Sequence, residues 1–386
     1  LAKAGAWKLA ALLLGAYGLA RRRAGQRKPP ALGEVRSILA IRLDLLGDLV
    51  FTLPAIEALR EAMPKARLSV LALPYTAGLL RGHPAVDRVI PVDVNRWRRP
   101  GEWAAGRAPR QMVWAVAELR RERYDIAISF YGRVGASAAL LSGARYLVGY
   151  EAEGYPSTFD LAVAGRRYRK RRHEAEYCLD LVRALGLQTN GKPPRLTVDP
   201  AAAAAVERLL SDAGLEVGEK PVALHPGALN MAAKRWLPER WAAVADRVQR
   251  DLGRRVLLVG AASELPLVEQ VLGRMATLPV VLVGKTSVAE LVALLSRCSL
   301  FLGCDSGPLH VASALGVPSV SVYGPTDPAI TGPLGARGRV LRAGAGCSPC
   351  YDPMNPSACR QSDYLCMAGV SVDQVFEAAR EVICHA

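Results

Sequence analysis

The N-terminal apolar run, Leu9 to Ala20, falls short of the roughly 20 residues that a spanning helix needs. The dense arginines behind it are also unlike a signal-peptide cleavage site. No acidic residue precedes Glu34, so the start of the chain carries positive charge alone. No zinc-finger, RNP-type or helix-turn-helix signature accompanies the formal net charge of +15, which argues against nucleic acid as the partner. No G-x-G-x-x-G follows the first strand of either half, which sets a dinucleotide-dependent dehydrogenase aside. Cys178, Cys298, Cys304 and Cys384 are scattered in apolar or helical contexts, unlike a secreted disulfide framework.

What is present is a globular composition, 51% hydrophobic and 22% charged over 386 residues, long enough for two ordinary domains. The basic balance suits an anionic membrane or a phosphorylated substrate. Residues 1–33 form a basic and apolar tail, with Lys3 and Lys8 before the apolar run and Arg21, Arg22, Arg23, Arg27 and Lys28 behind it. An interfacial helix fits this pattern, with Trp7 and Tyr17 at headgroup depth and the arginines on anionic lipid. A tail with no membrane role is the alternative. Asn95 to Arg123 is rich in Arg and Trp, with a helix predicted over Pro109 to Arg123, and Arg166 to Arg172 is almost wholly basic. These runs read either as a grip on an anionic acceptor or bilayer, or as a solvated charged face.

Apolar strands alternate with helices through the rest of the chain. That predicts the α/β class, with two Rossmann-like, doubly wound parallel sheets in tandem. The first half, residues 34–190, has predicted strands at 37–42, 67–73, 87–91, 124–130 and 146–149. A helix over 174–185 leads to the linker Gly191 to Pro194. The second half, residues 195–345, has predicted strands at 221–225, 255–259, 280–283, 299–303 and 319–322. Residues 346–386 hold a cysteine-rich loop and a last helix.

The densest chemistry lies in the turn Gly303-Cys304-Asp305-Ser306-Gly307-Pro308-Leu309-His310, between an apolar strand and a helix. A small-residue turn there leaves N–H groups free at a positive helix end, where a phosphate can sit. Asp305 and His310 add an acceptor and a donor at the same mouth. The strand Ser319 to Val322 ends in a second turn, Gly324-Pro325-Thr326-Asp327-Pro328. Adjacent strands with such loops at their carboxyl ends are where an open α/β sheet binds nucleotides.

The D-[ST]-G-x-x-H helix mouth followed by Y-G-x-T-D-P resembles glycosyltransferase family 9, the ADP-heptose:lipopolysaccharide heptosyltransferases. Gly47-Asp48 with Thr52-Leu53-Pro54, and Lys234 with Trp236, Pro238 and Glu239, carry the same resemblance. It runs from about Arg36 to the C-terminus. It implies a GT-B architecture, two Rossmann-like domains facing a central cleft, with the final helix, Val372 to Ile383, crossing back onto the first domain. It also implies an inverting glycosyltransferase, peripheral on the inner face of the cytoplasmic membrane. Such an enzyme takes heptose from ADP-heptose to an anionic, lipid-linked lipopolysaccharide inner-core acceptor. Other nucleotide sugars, serving O-antigen, capsule or a glycolipid, stand as the alternative, and a non-catalytic nucleotide-sugar-binding protein as the second.

By the same resemblance Asp48 is the general base that takes the acceptor hydroxyl's proton. Spacing alone reads it as a helix N-cap. Arg42 and Asp44 are acceptor-side candidates. The implied donor contacts are Asn230, Lys234, Gly260, Thr286, Asp305, Ser306, Gly307 and His310. Lys234 and the helix mouth would offset the charge of a departing nucleoside diphosphate. Asn230 stands where many relatives carry hydroxyl residues, and Gly260 and Thr286 would border the nucleoside. Without the motif, Lys234 reads as surface charge and His310 as a core histidine. No D-x-D metal arrangement stands in a convincing context, in keeping with a transfer that needs no cofactor for catalysis.

Cys347, Cys350, Cys359 and Cys366 form a C-x2-C-x8-C-x6-C array in a proline-rich stretch. Structural zinc is the first candidate; an iron–sulfur cluster and free or paired thiols are the others. Its place before the last helix points to bracing of the C-terminus and not to chemistry.

Overall fold

The computed structural model describes residues 14–21, 27–155, 157–165, 172–189, 191–228, 231–335, 337–351, 359 and 363–384. Asn230, Leu229, residues 1–13 and most of the basic run at 166–171 lie outside the described residues. The chain divides into two compact units, Leu1–Lys192 and Pro193–Ala386.

The first unit is built on a parallel sheet of β1 (Ser37–Arg42), β2 (Arg67–Ala72), β3 (Arg88–Pro91), β4 (Ile126–Ser129), β5 (Tyr146–Tyr150) and β6 (Leu161–Val163), in the order β3-β2-β1-β4-β5-β6. The central strands are buried on both faces, so Ile38 to Ile41 and Ile126 to Ile128 are continuous apolar runs without alternation. Helix α1 (Leu46–Ala62) follows β1, and α2 (Pro100–Ala104) and α3 (Arg107–Arg121) precede β4. Helix α4 (Gly132–Leu141) follows β4, and α5 (Glu174–Ala184) closes the unit against α1. On α3, Ala108, Ala115 and Leu119 are buried, while Val113 and Trp114 stand exposed on the opposite side.

A helical segment at 14–21 packs on the same unit. Leu14 touches its core, and Arg21 pairs with Asp160 at 2.8 Å and donates to the carbonyls of Ala144 and Arg145 at 3.0 Å. Arg27 also donates to the Arg145 carbonyl, at 2.9 Å. These two arginines, expected on lipid, are therefore engaged within the unit. Among the described residues no helix is long and apolar enough to cross a membrane.

The second unit contains α6 (Pro200–Asp212), β7 (Val222–His225), α7 (Pro238–Asp251), β8 (Val256–Leu258), α8 (Leu265–Leu272), β9 (Val280–Val281), α9 (Val288–Ser296), β10 (Leu300–Cys304), α10 (Gly307–Ala314), β11 (Ser319–Val322), β12 (Gly338–Leu341) and α11 (Val372–Cys384). Its strands lie parallel in the order β12-β11-β10-β7-β8-β9. Counted from each unit's own first strand, both sheets have the order 3-2-1-4-5-6 of the doubly wound nucleotide-binding fold. The strand direction of winding reverses between β1 and β4 in one unit and between β7 and β10 in the other, which opens a crevice at those carboxyl ends.

Helix α11 lies on its own unit, against α7 and strands β10, β11 and β12. Val375, Phe376, Ala378 and Ala379 are its buried face, and Arg247 of α7 lies 3.7 Å over the Phe376 ring. This apolar stripe covers the face formed by Leu300, Leu302, Val320 and Val322, so the helix satisfies its own sheet.

Candidate active site

In the first unit the crevice holds the loop after β1. Helix α1 begins at Leu46 with Leu45 as its N-cap, and Leu45 makes no side-chain cap. Asp48 is thus in the first turn and does not cap the helix; a carboxylate there is favoured by the helix dipole. Thr52 Oγ1 donates to the Asp48 carbonyl at 2.8 Å, which fixes the turn.

Arg42, at the end of β1, is buried with only 2% of its surface exposed. Its Nε donates to Asp44 Oδ1 at 2.7 Å, and its Nη2 lies 3.0 Å from Glu174 Oε1 and 3.2 Å from Asp48 Oδ1. Nη1 reaches Cys178 Sγ at 3.5 Å, and the Tyr131 ring lies 5.7 Å away. Burial works against the guanidinium's charge, but Asp44, Cys178, Asp48 and Glu174 outweigh it and push its proton affinity well above normal. Arg42 therefore organises the carboxylates at the end of β1. Asp48 keeps about a quarter of its side chain open, 26%, so it can meet an incoming hydroxyl.

In the second unit, loops after β7, β8, β9, β10 and β11 gather the other candidates. Lys234 Nζ lies 2.8 Å from Asp305 Oδ2, and His310 Nε2 lies 3.4 Å from Asp305 Oδ1. Burial raises the cost of the Asp305 charge, yet Lys234 and His310 hold its carboxyl below the usual carboxylate range. Thr331 Oγ1 reaches Asp305 Oδ2 at 3.5 Å. The Tyr351 ring lies 5.1 Å from Lys234 Nζ.

Ser306 is the N-cap of α10 but makes no capping bond. Its Oγ lies 3.1 Å from His225 Nδ1, and His225 Nε2 lies 3.1 Å from Glu264 Oε2. Glu264 Oε2 also accepts the Ala261 N–H at 2.9 Å. The two glycines beside this chain are sterically required. A Cβ at Gly227 would sit 1.9 Å from Glu264 Oε1, and one at Gly260, with φ +156°, would sit 2.9 Å from Oε2. The Gly260 carbonyl accepts the Gly284 N–H at 2.9 Å, which ties the loop leading to Thr286 to the end of β8. Thr286 is half-buried beside the capping box of Ser287 and Glu290 at the start of α9. Gly307 opens α10, with Pro308 in its first turn.

Lys234, Asp305, Ser306, Gly307 and His310 are thus brought to one crevice, with Gly260 and Thr286 on the neighbouring loops. His225 and Glu264 join them unannounced by sequence reasoning. Their signal is the pair of glycines that their side chains demand, in His225-Pro226-Gly227 and Gly260-Ala261-Ala262-Ser263-Glu264.

Residues 113–359, more than half of the chain, match the sequence profile of "Glycosyltransferase family 9 (heptosyltransferase)". The chain belongs to glycosyltransferase family 9. Lipopolysaccharide heptosyltransferase 1 of Escherichia coli strain K12 is 28% identical over 313 residues, 79% of this chain and 93% of that protein. A solved glycosyl transferase family 9 structure from Veillonella parvula matches with a TM-score of 0.79 at 26% identity, covering 91% of this chain and 98% of that one. The Escherichia coli ADP-heptose LPS heptosyltransferase II structure shares the fold, with a TM-score of 0.70 at 24% identity over 90% of this chain and 99% of that one. This family 9 glycosyltransferase thus has the two doubly wound units of the GT-B fold.

The cysteine array of this glycosyltransferase lies against the turn after β11. Ser348 Oγ donates to the Gly324 carbonyl at 2.5 Å, and the N–H groups of Cys350 and Tyr351 donate to Pro325 O at 2.9 and 2.8 Å. Cys366 is buried beneath Gly324. Burial raises its thiol, and the neighbouring Cys350, Cys347 and Cys359 raise it further, so the four sulfurs share one region. Among the described residues no three His, Cys, Asp or Glu side chains are gathered as a formed metal site.

Proposed function

We propose that this family 9 enzyme is an inverting heptosyltransferase that uses ADP-heptose and a lipopolysaccharide inner-core acceptor. The names of its relatives favour that donor and acceptor. The observation that carries the chemistry is the Lys234–Asp305 pair beside the Ser306–His310 helix mouth at the β7/β10 crevice.

Asp48 takes the proton of the acceptor hydroxyl as its oxygen attacks the anomeric carbon from the face opposite the leaving group. A new C–O bond forms and the bond from that carbon to the diphosphate oxygen breaks, with its electron pair leaving on ADP. Lys234 and the N–H groups at the start of α10 offset the growing negative charge. Asp305 holds the Lys234 ammonium in place. Asp48 belongs to the first unit and Lys234 to the second.

The acceptor's lipid anchor makes the inner face of the cytoplasmic membrane the working place of the enzyme. Exposed Trp103, Val113 and Trp114, next to exposed Arg107 and Arg110, support contact with an anionic surface. Trp103 Nε1 donates to the Trp97 carbonyl and Trp97 Nε1 to Gln111, which joins α2 to the α3 surface. Cys347, Cys350, Cys359 and Cys366 are zinc-type donors that are not gathered as a formed site in this structure, and zinc would have to draw them together to brace the loop carrying Tyr351. Elemental analysis of the purified protein should return about one zinc per chain, and none with Cys347 and Cys350 replaced by serine.

The test of the reaction is ADP release from ADP-heptose on addition of heptose-deficient lipopolysaccharide. Acceptor-dependent release supports the reading. Release only with another nucleotide sugar would move the substrate and keep the chemistry, and binding without release from any donor would favour the non-catalytic alternative.

A further inference from the structure

Two exposed apolar side chains stand beside Asp48 in the first unit. Strands β1 and β2 run parallel with Arg42 opposite Ala72, so the loops that leave them emerge side by side at one edge of the sheet. The loop after β1 carries Asp44 and Leu45 and leads into Asp48 on α1; the loop after β2 carries the helical turn Pro74–Ala77. Tyr75 Oη donates to the Asp44 carbonyl at 3.3 Å, and 46% of Tyr75 is exposed. Leu45 is 54% exposed.

The turn that carries Tyr75 is anchored. Pro74 opens it with a fixed φ. Thr76 is buried and its Oγ1 donates to the Leu73 carbonyl at 3.1 Å, which also accepts the Ala77 N–H at 2.9 Å. Leu79 and Leu80 fasten the next turn into the core. Burial and the charges of Asp44 and Asp48 push the Tyr75 phenol up to about 12, so it keeps its proton beside the base. Tyr131, on the loop after β4 at the other flank of β1, is half-buried and has Arg42 5.7 Å from its ring.

Leu45 breaks a local rule. It is the N-cap of α1, where Ser, Thr, Asp or Asn would accept an N–H of the first turn, and it makes no side-chain cap. Its exposure shows no packing gain in return. A rule broken without local compensation is the pattern of a functional position.

A pyranose ring carries hydroxyls around its edge and C–H groups on its faces. The negative face of an aromatic ring attracts those C–H groups, and a neighbouring leucine widens the apolar area. A hydroxyl that gives its proton to Asp48 comes within about 2.6–3.2 Å of it. The sugar bearing that hydroxyl then covers the ground between Asp48 and Tyr75.

We propose that Tyr75 and Leu45 are the platform for the acceptor sugar, with the Tyr75 ring stacked on its C–H face and Leu45 beneath its rim, so that the hydroxyl is presented to Asp48. The inference rests on the glycosyl-transfer reading with Asp48 as base. A platform holds the acceptor equally before and during transfer, so it sets the acceptor KM and not kcat.

The experiment measures ADP release at saturating ADP-heptose against heptose-deficient lipopolysaccharide, both intact and de-acylated. Tyr75→Ala should raise the acceptor KM roughly tenfold with both acceptors, with kcat within about threefold of native and ADP-heptose affinity unchanged. Tyr75→Phe keeps the ring and loses only the bond to the Asp44 carbonyl, so its KM should stay within about threefold of native. Leu45→Ser installs a better N-cap; it should raise the acceptor KM a few-fold while the urea midpoint holds or rises, a pairing that a purely structural role does not give. Native KM values in Tyr75→Ala would overturn the platform and leave the heptosyl-transfer reading standing. A rise confined to the intact acceptor would mean that the pair touches lipid, and would overturn it too. No release by the native enzyme would overturn the heptosyl-transfer reading, and the platform with it.

Discussion

The guanidinium of Arg42 lies 3.2 Å from the Asp48 carboxylate while also contacting Asp44 and Glu174, and it is buried. One internal cation thus holds three carboxylates at the end of β1. Removing it would take a cation away from Asp44 and Glu174 in a dry region. Arg42→Met is expected to lower stability by about 3–5 kcal/mol, read from the urea midpoint of the whole chain. A loss under about 1 kcal/mol would mean that solvent screens this cluster.

The acid limb of stability carries the signature of Asp305. Its folded-state proton affinity is depressed, chiefly against burial, by Lys234 and His310. A depressed carboxylate contributes stability above its unfolded value, near about pH 4, and that contribution is lost as pH falls toward the folded value. Between about pH 5 and 3 the native protein should therefore lose more stability than Asp305→Asn does. Parallel losses in the two proteins would contradict the ion-pair account.

Gly227→Ala tests the packing behind the Ser306 chain. The new Cβ would meet Glu264 Oε1 at 1.9 Å, and the carboxylate cannot move without giving up His225 or the Ala261 N–H. We expect about 1–3 kcal/mol of destabilisation and weaker donor binding together, measured by unfolding and by titration with ADP-heptose. Unchanged donor affinity would separate Glu264 from the donor site.

Much of the fold was legible because β1, β4, β7 and β10 are buried on both faces and read as plain apolar runs. The two strands that escaped, β6 and β12, are the corresponding edge strands of the two sheets. Leu161–Val163 and Gly338–Leu341 are short and half-exposed, so neither periodicity nor hydrophobicity marks them. The burial of Arg42 was not legible for another reason: only the fold brings Glu174 and Cys178 from α5 against it. His225 and Glu264 are 39 residues apart and come together only because β7 and β8 are neighbours. The packing of the last helix on its own sheet was not legible because its apolar stripe identifies a buried face but not which sheet it covers.

Cysteine reactivity should divide by environment. Burial pushes the Cys298 and Cys304 thiols up to about 12, so both should resist alkylation until the protein unfolds. Exposed Cys384 and Cys350 should react first. Mass spectrometry after a brief alkylation pulse reads all of these sites. Rapid labelling of Cys304 in native protein would contradict the packing of β10.

The central claim is that Asp48 is the base, and Asp48→Asn tests it most directly because it keeps the shape and removes the proton acceptor. Turnover of ADP-heptose with heptose-deficient lipopolysaccharide should fall by about 10²–10⁴-fold, with ADP-heptose affinity and the unfolding midpoint unchanged. Turnover within a few-fold of native would contradict the account and place the base elsewhere.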